Sequence, residues 1–145
     1  MDNYFMNMAH KLREESHCLR RKVAAILVSA DGKQIITAIN DPLPYPTKCM
    51  EEGCIRDAKN IKSGTAPETC RCVHCETSLI CQCAKLGIST LDATVYTTLQ
   101  PCISCVKVLV DAGIARIVYE EDYPDKDALM LLHEMNIQVD QFRLS

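Results

Sequence analysis

Residues 93–120 read ATVYTTLQPCISCVKVLVDAGIARIVYE, and this stretch decides the fold. Ala93 to Thr98 is β-branched and aromatic, as a short strand requires. Cys102 to Ala112 has helical composition, and Gly113 stands where a helix commonly closes in a left-handed turn. Ala115 to Glu120 is a second strand. Strand, helix and strand with short joints make a parallel crossover unit, which packs its helix on one face of a sheet. Downstream the pattern repeats, with a helix over Asp125 to Met135 and a last strand over Ile137 to Gln141. Upstream, Cys75 to Leu86 is a helix ended by Gly87. Val23 to Ser29 and Gln34 to Ile39 form a hairpin about the Asp31-Gly32 turn. Asp2 to His17 is an amphipathic helix, with Phe5, Met8, Ala9 and Leu12 at spacings of three and four. Together these predict a three-layer α/β/α domain over residues 1–145, with a mixed five-stranded sheet and helices on both faces.

Residues 40–72 break the rhythm. They hold four of the six prolines and four cysteines, Cys49, Cys54, Cys70 and Cys72. A connection this long inside a compact domain is uncommon unless it is functional or tied down. Composition sharpens that point. The 145 residues carry ten cysteines against four histidines, with a net charge of −3. The acidic balance gives no broad electrostatic footprint for nucleic acid, so a nucleic-acid partner is not expected. No apolar run is long enough to span a bilayer. The stretch Met1 to Leu19 is polar and charged rather than a signal peptide. A cytoplasmic location is therefore expected, where clustered cysteines serve metal or catalysis more often than disulfides.

Cys102 and Cys105 lie one helical turn apart at a helix N-terminus, so both sulfurs face one point and the helix dipole favours thiolates. A Cys-x-x-Cys pair alone fits a structural zinc or a redox dithiol equally well. His74 at the start of the preceding helix changes that, because three protein ligands with an open fourth position are the arrangement of a catalytic zinc. Glu76, two residues beyond His74, is a carboxylate that a purely structural site has no use for.

His74-Cys75-Glu76 followed by Pro101-Cys102-Ile103-Ser104-Cys105 resembles the H-x-E…P-C-x-x-C signature of the zinc-dependent nucleobase deaminases. The chain as a whole resembles the cytidine and deoxycytidylate deaminase superfamily and, within it, the deoxycytidylate (dCMP) deaminases. Cys18 to Ala25 is similar to that family's approach to the first strand. Gly53-Cys54-Ile55-Arg56, Ser63-Gly64 and Glu68 to Arg71 resemble a subset with a cysteine-rich insertion. Thr94 to Tyr96, Thr98 and Ala112-Gly113-Ile114 are similar to the metal-binding half, and Asp122 to Asp125 to its ending. The resemblance implies a cytidine-deaminase-like fold and hydrolysis of dCMP to dUMP and ammonia. It makes His74, Cys102 and Cys105 the ligands of one catalytic zinc and Glu76 the proton carrier. Deamination of cytidine, guanine or tRNA adenosine is the alternative, with a non-catalytic zinc-stabilised binding protein behind it.

The same resemblance makes Cys18, Cys49, Cys54 and Cys70 the ligands of a second, structural zinc, with Cys72 as a substitute for one of them. It assigns Asn40 to the sugar and Tyr123 to the base, with Tyr119 as second choice. It also implies a small nucleotide as substrate and a homo-oligomer. The sequence departs from the family pattern at Cys75, at Ser78-Leu79, and at Ala38-Ile39-Asn40-Asp41, where Asn40 alone is kept.

Overall fold

The computed structural model describes residues 1–143. In chain order the elements are α1 (Asp2–Leu12), β1 (Ala24–Val28), β2 (Ile35–Ile39), β3 (Asp41–Pro42), α2 (Lys48–Glu52), α3 (Ile55–Ala58), β4 (Cys72–Val73), α4 (Cys75–Leu86), β5 (Thr94–Leu99), α5 (Ile103–Asp111), β6 (Arg116–Glu121), α6 (Lys126–Glu134) and β7 (Gln138–Gln141). Short 3-10 turns lie at Arg13–Glu15 and Pro67–Thr69. The main sheet has the order β2-β1-β5-β6-β7. β1 is antiparallel to both β2 and β5, while β5, β6 and β7 run parallel.

Strand alternation sorts the core into two layers. Ala25, Leu27, Val95 and Ile117 point to one face and pack with Leu79, Val106, Leu109 and Leu132 from α4, α5 and α6. Ile26, Tyr96 and Val118 point to the other face and meet Phe5, Met6 and Ala9 of α1. Both crossover helices share a face with α4, and α1 supplies the second helical layer. The predicted mixed five-stranded sheet with helices on both faces is therefore the observed one.

The first helix is shorter than the predicted Asp2 to His17 and stops where its apolar stripe stops. It ends at Leu12, and Ser16 is already extended, with ψ 139°. The buried Ser16 hydroxyl lies 2.7 Å from both the Asn40 carbonyl and Asn40 Oδ1, a tertiary tie that draws the chain out of the helix. The 40–72 insertion is more ordered than its composition implies. It adds the small β3–β4 pair and two short helices, and its last strand leads straight into α4.

Leu79 is fully buried on the face of α4 that meets the sheet. Leu79→Ala should lower the unfolding free energy by about 2–5 kcal/mol, the usual range for emptying such a site. Urea denaturation measures this, and a loss below about 1 kcal/mol would show that α4 is not anchored through this side chain.

Candidate active site

Two helices begin side by side. His74 is the N-cap residue of α4 and Cys102 is the N-cap residue of α5. Both have extended backbones, so each side chain leaves its helix end toward the other. The fall from β5 through Pro101 delivers Cys102, and one turn of α5 brings Cys105 to the same point. His74 Nδ1 lies 3.6 Å from Cys102 Sγ and 3.4 Å from Cys105 Sγ. Among the described residues, these three form the group of metal-type donors whose atoms all lie within 4.8 Å of one another.

The donor set fits zinc on both chemistry and spacing. One imidazole nitrogen and two thiolates are borderline-soft ligands, and bond lengths of about 2.0–2.3 Å in a tetrahedron put them about 3.6 Å apart. The local electrostatics agree. The Cys105 thiol donating toward Cys102, together with His74 beside it, lowers the Cys102 pKa to about 4. Cys105 is pushed up in return, and the thiolate beside His74 raises the imidazole to about 9. The pocket thus already favours a negative sulfur centre, which a divalent cation would complete. Thr77 Oγ1, one helical turn from His74, sits 3.5 Å from Cys105 Sγ.

Glu76 is 4% exposed and lies in the first turn of α4, beside the three donors but outside their group. Burial raises its pKa above the ordinary carboxylate value. Thr97 Oγ1 lies 3.1 Å from Glu76 Oε1 and 3.0 Å from the Leu99 carbonyl, and its single hydroxyl proton is shared between these acceptors. The sequence reading missed Thr97. Its trace was there: a hydroxyl at the position in β5 that shares the inward face of Val95.

His74, Glu76 and Cys102 open into one cavity, which Asn40 and Tyr123 also line. Asn40 is largely committed elsewhere. Its Oδ1 takes hydrogen bonds from Ser16 Oγ and Val23 N, and its Nδ2 donates to the Arg21 carbonyl at 2.7 Å. One amide hydrogen is left for a ligand. Tyr123 faces the cavity near Cys102, and burial raises its pKa above the usual phenol value. Tyr119 is instead buried in β6. Asp125 does more than start the helix predicted from it. Its Oδ1 does cap α6 through Ala128 N at 3.1 Å, but its Oδ2 also accepts from Ile103 N at 2.8 Å. One carboxylate thus ties the Cys102 turn to the segment carrying Tyr123.

Cys18, Cys49, Cys54 and Cys70 all line this cavity, and Cys72 joins them. Cys72 is the hub, since its thiol meets both Cys18 and Cys70. Sharing of that proton lowers Cys18 to about 5 and Cys70 to about 6, while Cys72 is pushed up. The four cysteines named from the sequence thus line one cavity, with Cys72 more central than expected, but among the described residues no three of them have sulfurs all within 4.8 Å of one another. Nearby, Arg20 Nη1 and Arg71 Nε are buried without a hydrogen-bond partner.

The family described as the cytidine and deoxycytidylate deaminase zinc-binding region matches residues 1–121. The ComE operon protein 2 of Bacillus subtilis is 33% identical over 144 residues, covering 99% of this chain and 71% of that protein. The deoxycytidylate deaminase of Saccharomyces cerevisiae is 30% identical over 146 residues, covering 97% of this chain but only 44% of the yeast protein. In fold, the chain is similar to the crystal structure of the cyanophage S-TIM5 dCMP deaminase in complex with dCMP and dUMP. That match has a TM-score of 0.77 at 22% identity and covers 97% of this chain and 95% of the other. With a donor set that suits zinc and a family match running through most of its length, the chain belongs to the cytidine and deoxycytidylate deaminase family.

Proposed function

We propose that the protein hydrolyses dCMP to dUMP and ammonia, with His74, Cys102 and Cys105 holding one zinc ion. The observation that carries this reading is the three-donor group with a buried, non-ligand carboxylate beside it. A zinc ion held there supplies the Lewis acidity that makes water a nucleophile near neutral pH. The protein's own groups do the rest. Glu76 accepts a proton from the attacking water and passes protons to the ring nitrogen and to the departing ammonia. Its raised pKa suits a group that must both take and give a proton near neutrality. Thr97 keeps the carboxylate aimed. Tyr123 offers a face for the base, and the remaining amide hydrogen of Asn40 suits a sugar oxygen.

The nucleotide, rather than the nucleoside, is favoured by Arg21, a half-exposed cation of the cavity wall paired with Glu121. Arg20 and Arg71 also line the cavity but are paired with Asp57 and Glu52, and Arg56 is turned onto the protein's own oxygens. Relatives named deoxycytidylate deaminases support the same choice. We further propose a second, structural zinc among Cys18, Cys49, Cys54, Cys70 and Cys72. Four thiolates around a divalent ion leave net negative charge. The cations placed to balance it are Arg20, in electrostatic reach of Cys54 and Cys70, and Arg71, in reach of Cys49. No described helix is long and apolar enough to cross a membrane. The reading includes a cytoplasmic location, from the cysteine usage, and a homo-oligomer, as the resemblance implies.

Purified protein should release ammonia from dCMP with a kcat/KM at least about tenfold above that for deoxycytidine, a modest return for one charged contact. The reverse preference would sink the nucleotide assignment. Glu76→Ala should retain the catalytic zinc yet lose about two to four orders of magnitude in kcat, as removal of a general acid–base group does; a variant with normal turnover would remove its proton-transfer role. Metal analysis should find two zinc ions per chain, and Cys72→Ser should lose one of them while His74, Cys102 and Cys105 keep theirs. A single zinc in the unsubstituted protein would remove the structural site.

A further inference from the structure

One buried cation holds down the roof of the cavity. Arg56, in α3, is 6% exposed. Its Nη1 donates to the Ala66 carbonyl at 2.5 Å and to Thr69 Oγ1 at 2.9 Å. Its Nη2 donates to the carbonyls of Lys62 at 3.0 Å and Thr65 at 2.5 Å. All four terminal N–H bonds of the guanidinium are therefore directed at residues 62–69. None of the ion pairs among the described residues includes Arg56. A buried charge with no counter-charge is expensive, and it persists here on a full set of hydrogen bonds.

The segment it holds forms part of the wall of the cavity. Ser63, Gly64 and Pro67 line the same space as Glu76 and Cys102. Gly64 has φ +81°, and a Cβ placed on it would sit 3.7 Å from Tyr123 Oη. Ala66 is left-handed at φ 42°, a strained state for a residue with a side chain. Its carbonyl is one of the acceptors of Nη1, so the guanidinium locks the strained turn.

We propose that Arg56 is a positioning residue for substrate: it straps residues 62–69 against Tyr123 as the roof of the cavity and so sets how closely a base is enclosed. The inference rests on the reading of this cavity as the deaminase site. Because every terminal N–H is engaged by the protein, Arg56 does not hold the substrate phosphate. Its effect therefore falls equally on substrates with and without one.

The test uses Arg56→Gly and Arg56→Lys in the full chain, with zinc content measured alongside kinetics. Arg56→Gly should raise KM for dCMP and deoxycytidine alike by about tenfold, with kcat changed less than about twofold and the catalytic zinc retained. Millimolar guanidinium should restore KM in Arg56→Gly, because it refills the fork. Arg56→Lys should fall between, since an ammonium is a point charge without the planar fork. Unchanged KM, a KM rise confined to dCMP, or a loss of kcat alone would each overturn the proposal. Limited proteolysis reads the strap without turnover. Cleavage within residues 62–69 should be faster in Arg56→Lys than in the unsubstituted protein, and equal rates would overturn the strap even if neither substrate is deaminated.

Discussion

The structure depends on two helix N-termini meeting at one point. Each helix start leaves backbone N–H groups without intrahelical partners and carries the positive end of its dipole. Two such ends repel unless something negative stands between them. At α4 and α5 that something is the Cys102–Cys105 pair, with His74 closing the group. The sulfurs are thus stabilised as anions by the fold, and the fold in turn needs an anionic or metal-bound centre there. The core enforces the meeting. Leu79 from α4 and Val106 and Leu109 from α5 are locked on the same face of the sheet.

Around that centre, polar groups are arranged so that little is left uncommitted. Asn40 stitches Ser16, Val23 and the Arg21 carbonyl together. Asp125 joins the start of α5 to the start of α6. Arg56 gathers four oxygens of the insertion. Asn40 and Arg56 each make several directed bonds at or within the insertion, which is how a proline-rich connection of this length is held in one shape. The same economy accounts for the Asn40-for-sugar expectation narrowing to a single hydrogen, because most of that side chain is structural.

Much of the fold was legible because the regular elements carry clean periodicity. The helix predicted over Cys75 to Leu86 has those bounds in the structure, with Gly87 left-handed after it at φ 68°. The strands flanking α5 shift by one residue at each end. The helix predicted over Asp2 to His17 was too long because Arg13, Glu14 and Glu15 are good helix formers with no local stop signal after them, whereas Ser16 is taken by a partner 24 residues away. Local pattern does not register a competitor that distant. The insertion is the larger loss. Its short helices and β3–β4 pair are too brief for any periodicity to show.

What the sequence by itself determined was the proposed catalytic set: His74 with Glu76, and Cys102 with Cys105, are each fixed by residue type and by spacing within one helical turn, which is a local property. The tertiary structure alone decided which other groups face that chemistry. Thr97 reaches Glu76 because α4 packs on β1 and β2 and its first turn comes beside the next strand of the sheet, β5. Cys72, rather than one of the four cysteines first named, lies between Cys18 and Cys70 because β4 brings it there. Arg56 became a strap because the insertion folds back over it. Those contacts join residues far apart in the chain, and only the packing of the layers brings them within hydrogen-bond range.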